Sequence, residues 1–465
     1  MSQDIEPTHG KNQLKRLSPA VELYSSTPSR DTALGLTFLA LCWMLSNSNL
    51  EYKPNEPQDR HHRRLQKVWQ EICEIVASSK PFSCAVIGSK GGIGKTPLIS
   101  MLSLVCAMAS HKSTLAAEFH PDTGTMGDRL GVSTSQHGEY RTFHMVRHPE
   151  IMESHTAMSK LTATYPGSSL DVLLAEPKPD QPDNITCKEV FEALTDKLFS
   201  HYSNVFCDTG NGDLTPIHEG NLFAVDTCVF PVMADKDDNY KPSLMTMIQM
   251  HKAGHTRLVV SMPKVVNATN PKDSKDKYLA KYRDGARKIL EDSGWRYERI
   301  MPDTDKPLPT RPKKTEQSSE EQLAEYREAL VNRLLDDLGV TKDNIFLIPF
   351  SKHIANNGVA SVERSKIGIL ALMAYSELLL HLMKLPAPTL EEKKARFEAT
   401  MSQRGEDQMR RPTPVMDPAT VDLNLQRLRD ANAQGDGDGV KRTLAGIAEM
   451  LTKKPEAEAG MTEKE

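Results

Sequence analysis

The rhythm of apolar positions changes near residue 80. Before it, Leu34, Phe38, Leu41 and Leu45 recur at helical spacing, as do Leu65, Val68, Trp69, Ile72 and Ile75 within residues 61–77. A polar connection over 46–60 separates these two helices. After residue 80, short apolar runs alternate with longer amphipathic stretches. Strands are predicted over 83–87, 170–174, 204–207, 227–232, 258–261 and 344–348. Helices are predicted over 97–109, 190–199, 242–251, 319–338 and 367–382. Alternation of this kind predicts an α/β fold, a mostly parallel sheet flanked by helices.

Four segments have a different texture. Residues 1–30 mix Ser, Pro and charge without periodicity and are expected to be disordered; 31–80 form a helical N-terminal extension. The α/β domain is expected over 81–385. Within it, 264–338 is charged and carries Pro302, Pro307, Pro309 and Pro312, which predicts an insertion or lid. Residues 386–465 read as a charged tail outside the core, largely disordered with helical patches and a Gly-Asp linker at 434–439.

Composition narrows the classes. The net charge is −4, so the chain is not globally basic, although a local basic stretch remains compatible with it. Seven cysteines stand far apart with no CxxC spacing, which argues against a zinc ribbon or a disulfide framework and for reduced thiols in a cytoplasmic protein. The opening residues lack the pattern of a secretory signal. The most apolar stretch, 34–45, falls short of the roughly 20 residues that span a bilayer.

The sharpest chemical signal is Gly88-Ser89-Lys90-Gly91-Gly92-Ile93-Gly94-Lys95-Thr96, between a predicted strand and a predicted helix. Glycines let successive backbone N–H groups point at phosphate oxygens, and the helix that follows offers its positive end to the same anion. Lys95 supplies a charge for the β- and γ-phosphates, and the Thr96 hydroxyl completes a Mg²⁺ shell. Pro97 falls in the first helical turn, where its missing N–H costs nothing. Ser89 stands where the general phosphate-loop pattern has its first glycine.

The pattern Lys-Gly-Gly-Xaa-Gly-Lys-Thr over 90–96 resembles the deviant Walker A motif of the ParA/MinD family of P-loop ATPases. The resemblance implies ATP and Mg²⁺ as cofactors, with Gly91, Gly92, Ile93, Gly94, Lys95, Thr96 and Pro97 around the phosphates. It implies that Lys90 reaches across an ATP-dependent homodimer to the partner's nucleotide. Residues 202–208 are similar to the family's Walker B strand, so Asp208 joins Thr96 at the metal, and Gly212 ends a switch loop that senses the γ-phosphate. Residues 348–352 and 354–358 are similar to the late strand and base-side loop, which places Pro349 near the base. Residues 115–131 resemble the segment that holds a pair of acids in the family; here Glu118, His120 and Asp122 are the candidates. His120 stands where the acid that orients the attacking water is expected. Either His120 or Asp122 takes that role, or hydrolysis is slow or absent, or His120 is simply a loop residue. The family's adenine-reading Asn has no clear counterpart; residues 261–264 occupy its place and Asn267 is the nearest candidate. Residues 234–237 look superficially like a guanine-reading motif but follow the wrong strand, and read as a solvated turn.

The resemblance leaves three functions open. A bacterial partition ATPase, acting in plasmid or chromosome segregation, would bind DNA non-specifically and meet an adaptor protein that stimulates hydrolysis. Residues 264–288 suit such a surface, with eight basic residues against three acidic ones, although a solvated helix face has the same composition. A MinD-like positioning or secretion-associated ATPase would use a C-terminal membrane helix. Residues 440–454 have the pattern, but the Glu-rich end that follows opposes anionic lipid. A nucleotide-switched regulatory protein with little hydrolysis fits the His120 departure.

Overall fold

Strand β1 (Phe82–Gly88) is buried at all seven positions. A strand covered on both faces needs no polar alternation, which is why 83–87 reads as a continuous apolar run. The structure, a computed structural model, describes residues 58–77, 81–88, 91–110, 112–119, 125–132, 142–159, 161–165, 168–175, 185–211, 216–234, 236–255, 257–265, 275–301, 307–312, 320–349, 354 and 369–410. The expectations for 1–57 and 411–465 lie outside the described residues. The chain divides into two compact units, 1–396 and 397–465, and of the second only the helical residues 397–410 are described.

The remaining strands are β2 (Thr114–Phe119), β3 (Ala163–Thr164), β4 (Leu170–Leu173), β5 (Asn204–Asn211), β6 (Thr227–Pro231), β7 (Leu258–Val265) and β8 (Ile345–Pro349). They form one eight-stranded sheet in the order β3-β4-β2-β5-β1-β6-β7-β8. Every pairing is parallel except the short β3–β4 edge. β1 therefore lies between β5 and β6, near the middle of the sheet.

Helices α1 (Gln58–Ala77) and α2 (Lys95–Ser110) are followed by three short ones, α3 (Met126–Leu130), α4 (Thr142–Arg147) and α5 (His155–Ser159). Helix α6 starts at Cys187–Glu192 with a capping box between Thr186 and Glu189, then passes through a π-helical stretch, Ala193–Leu198, to Phe199–His201. The later helices are α7 (Pro216–Ala224), α8 (Tyr240–Lys252), α9 (Lys275–Asp292), α10 (Tyr297–Ile300), α11 (Glu320–Asp337), α12 (Ile369–Lys384) and α13 (Leu390–Arg410). None of the described helices is long and apolar enough to cross a membrane.

One hydrophobic core joins α1, α2 and α12 to the sheet, through Trp69, Ile72, Leu98, Ile99, Leu102 and Leu378. The N-terminal helix is fastened there by Trp69 Nε1, which donates to Ser376 Oγ at 2.9 Å, and by an Arg64–Glu377 ion pair.

Two segments differ from their sequence reading. Residues 264–338 contain helices with buried faces: Tyr278, Tyr282, Ala286 and Leu290 of α9, and Leu330, Val331, Leu334 and Leu335 of α11. Tyr240 and Tyr282 meet edge to face at 5.0 Å, which joins α8 to α9. The charge that suggested a lid belongs to the outward faces of these packed helices. The basic stretch is also partly spent internally. Lys281 pairs with Asp237 at 2.7 Å, Arg283 and Arg287 both bind Glu328, and Lys275 donates to Lys342 O at 2.8 Å. Likewise, the expected tail begins inside the fold, because Lys393 is buried and ion-paired to Asp226 at 2.8 Å.

His255 carries a pH prediction. It is buried against the Phe223 ring, and burial, then the cations Arg396 and Lys393, hold it well below the usual imidazole range. The unfolded chain takes up a proton near 6.5 and the folded chain does not, so stability falls as pH drops below that value. His251 and His381, also lowered by burial, add to the same slope. His255→Phe is expected to flatten the melting temperature between about pH 6.5 and 5. An unchanged profile would assign the acid sensitivity to other groups.

Candidate functional site

The phosphate loop leaves β1 at Gly88 and enters α2 at Lys95. A Cβ at Gly88 would lie 2.1 Å from Ile93 Cδ1 and 3.1 Å from Lys95 Cδ, so a side chain there would displace Ile93 from where it packs on the end of β1. Gly92 (φ +73°) and Gly94 (φ +96°) adopt the left-handed conformations that a cradle of backbone amides requires. Leu98 N donates to Gly94 O at 3.1 Å and begins the helical ladder.

Lys95 is only 8% exposed. Burial holds its ammonium below the usual lysine range, and the Asp208 carboxylate pulls it partly back. Asp208 is buried on β5, in register with Val86 of β1 and Glu118 of β2. Thr209 Oγ1 donates to Val86 O at 2.5 Å and fixes β5 against β1 beside the loop. Thr96 and Pro97 occupy the first turn of α2, half-buried. A threonine hydroxyl at that turn and a carboxylate on the adjacent strand are hard oxygen donors, which suits Mg²⁺. A buried ammonium next to them suits the anion that such a metal accompanies.

Glu118, the first member of the candidate acidic pair, is held by backbone amides. Its side chain is 1% exposed; Oε1 accepts from Met126 N at 2.7 Å and Oε2 from Ala175 N at 3.1 Å. Thr142 Oγ1 reaches the backbone oxygens of both Glu118 and Leu174, at 2.7 and 3.1 Å. Both carboxylate oxygens are thus engaged by backbone amides, and the geometry makes Glu118 a clamp between the ends of β2 and β4. Pro349 ends β8, three strands from β1 and so roughly 14 Å across the sheet, a reach that suits the far end of a nucleotide. Lys90, His120, Asp122, Gly212 and Asn267 lie outside the described residues.

On the β6 side of the loop is a cleft that the sequence did not point to. Ile87, Gly88, Ile93, Phe230, Pro231 and Val232 supply its apolar lining, and Asn239, Ser243 and Thr246 its polar lining; the space they enclose is about 10 Å³, room for about one water. An Asn in a short connection before a helix has no motif of its own, so no local signal marked Asn239.

A glycine loop between a buried parallel strand and a helix, a buried lysine opening that helix, and an aspartate on the adjacent strand define a P-loop NTPase fold. No family model matches the chain, and no curated protein matches it. Among solved structures, it is similar to the septum site-determining protein MinD of Pyrococcus horikoshii OT3, in complex with Mg-ADP. The identity is 12%, the coverage 65% of this chain and 96% of that one, and the TM-score 0.41. It is similar to a ParA family ATPase of Chlorobium tepidum TLS, at 14% identity over 56% of this chain and 97% of that one, with a TM-score of 0.35. It is also similar to McdA of Cyanothece in complex with ATP, at 13% identity over 57% and 98%, with a TM-score of 0.34.

Proposed function

We propose that this chain is an ATP-dependent switch of the ParA/MinD kind, which binds Mg·ATP at residues 91–97 and hydrolyses it as a homodimer. The observation that carries the reading is the buried Lys95 beside Asp208 at the mouth of a glycine loop with two left-handed residues. A buried ammonium held below its usual range is costly in isolation and gains most from a polyanion. Thr96 and Asp208 hold the Mg²⁺, which would neutralise charge on the β- and γ-phosphates when bound. The backbone amides and the N-terminal end of α2 orient the same phosphates. Lys90 supplies the charge to the partner's nucleotide, and Gly212 and Pro349 meet the γ-phosphate and the base; these three roles rest on the sequence motif alone.

Two experiments test the reading. Calorimetry of the full chain with Mg·ATP is expected to show saturable binding, and absence of heat would remove the proposal. Lys90→Ala is expected to leave binding by the monomer intact and to abolish the ATP-dependent dimer in sedimentation velocity. Hydrolysis should fall by roughly 100-fold, the scale of losing one charge stabiliser in the transition state. Phosphate release at the wild-type rate would refute the role of Lys90.

One observation favours a second reading, a nucleotide switch with slow turnover. With both carboxylate oxygens of Glu118 held by backbone amides, Glu118 is not placed to take over the water-orienting role at the position where His120 stands. Phosphate release close to zero with every adaptor supplied would select that reading. A DNA surface on α9 receives less support than the sequence suggested, since Lys275, Lys281, Arg283 and Arg287 are engaged within the chain. A gel shift on random duplex DNA that requires an ATP analogue is the outcome expected of a partition role.

A further inference from the structure

Three polar side chains line the cleft beside the phosphate loop, and two of them are satisfied. Thr246 Oγ1 donates to Pro242 O at 3.1 Å, and Ser243 Oγ lies 3.5 Å from Tyr282 OH. Asn239 is different: it is 4% exposed, and neither atom of its carboxamide has a hydrogen-bond partner. Its backbone N–H is satisfied by Lys236 O at 3.2 Å, so the side chain is not needed to hold its own turn. Nor does it cap α8, which begins at the next residue without a side-chain cap bond. A buried amide with an unfilled donor and an unfilled acceptor destabilises the fold it sits in. Its position gives the reason to keep it. It lines a water-sized cleft together with Gly88 and Ile93, which pack against each other in the phosphate loop.

We propose that Asn239 is a nucleotide-dependent positioning residue, whose carboxamide hydrogen-bonds backbone groups of the phosphate loop in the Mg·ATP-bound state and so couples the loop to helix α8. The inference rests on the nucleotide reading above and adds a second wall to that site. The chemistry is suited to the task. An amide offers both a donor and an acceptor, as a peptide group does, and carries no charge that would repel phosphate. The connection continues beyond Asn239, because Tyr240 and Ser243 on the next turn meet Tyr282 of α9. Gly285 on the same helix approaches α8 so closely that a Cβ there would lie 3.3 Å from Lys241 N. Nucleotide occupancy is thereby felt in the α8–α9 layer.

The test uses the full chain and Mg·ATP. Asn239→Leu keeps the side-chain size and removes the unfilled polar atoms. It is expected to raise the melting temperature of the nucleotide-free protein and, at the same time, to weaken Mg·ATP association roughly tenfold. His255→Phe serves as the comparison: that ring is also buried, with Nε2 unpartnered, but it does not line the cleft, so its replacement should leave the affinity unchanged. A purely structural Asn239 would give the reverse, a lower melting temperature with unaltered affinity, and would overturn the proposal. Hydrogen exchange on the wild-type protein gives a readout that does not depend on any variant folding. Mg·ATP should slow exchange across residues 236–246 as well as across the loop; protection confined to the loop would also overturn it. If the wild-type chain takes up no Mg·ATP at all, the nucleotide reading itself falls. If it binds normally and Asn239→Leu binds equally well, only this inference falls.

Discussion

Replacing Lys95 by alanine abolishes Mg·ATP association, with a loss of roughly 100-fold or more in affinity, the scale expected when a charge-assisted contact to a polyanion is removed from a buried site. The nucleotide-free variant should be no less stable than the parent, because the substitution also removes a desolvated ammonium. Lys95→Met, which keeps a stem to pack on Gly88, separates lost packing from lost charge. The pH dependence has a definite sign. Burial lowers the folded-state value below the reference of 10.5, so as pH rises through that lowered value the folded chain releases a proton that the unfolded chain still holds. The nucleotide-free domain therefore gains stability over that window, while Mg·ATP affinity weakens there, earlier than an exposed lysine would allow. Calorimetry across the alkaline range measures both. An ATP titration of Lys95→Ala that overlays the parent would sink the assignment.

The second large effect lies at the opposite end of the central strands. Asp226 Oδ2 accepts from both the N–H and the Oγ of Ser83, at 2.7 and 2.8 Å, and Oδ1 pairs with Lys393 at 2.8 Å. Arg396 Nη2 donates to Phe223 O at 2.9 Å one turn further along α13. The side chains of Ser83, Asp226 and Lys393 are all removed from solvent, with Ser83 and Asp226 at the amino ends of β1 and β6. Lys393→Ala leaves a buried carboxylate without its cation, and this is expected to cost about 3 kcal/mol, lowering the melting temperature by roughly 6–12 °C. Lys394→Ala is the contrast. Its pair with Asp196 at 3.2 Å is about half exposed on both sides, so the loss should stay under about 1 kcal/mol. Mg·ATP affinity should be the same in both, since the cluster sits at the far end of β1 from the phosphate loop. Equal small shifts in thermal unfolding would show that the ion pair contributes little.

The parts of the site that could be read from the chain are those in which local order is the structure. Gly88 to Thr96 is a continuous run, so its spacing carried the strand, loop and helix together, and Lys95 and Thr96 came with it. Asp208 was legible because an apolar strand ending in an acid is itself a short local pattern. The helices of 264–338 were harder: α9 is rich in Lys and Arg, and its buried Tyr278, Tyr282 and Leu290 are too sparse to mark a packed face. The two-residue strand β3 and the helix α7 likewise had no run long enough to announce them.

What the sequence by itself determined is the α/β alternation and the chemistry of the phosphate loop, because strand burial and backbone conformation there depend on residues next to one another. Only the tertiary structure decided the strand order, the use of Glu118 as a clamp on Met126 and Ala175, the pairing of Lys393 with Asp226, and the placement of Asn239 under the loop. Each of these joins residues separated by stretches of chain that carry no record of the contact. Whether a carboxylate meets water, an amide or an ammonium is set by what packs beside it once the sheet has assembled, and the same Glu or Asn can serve any of those partners.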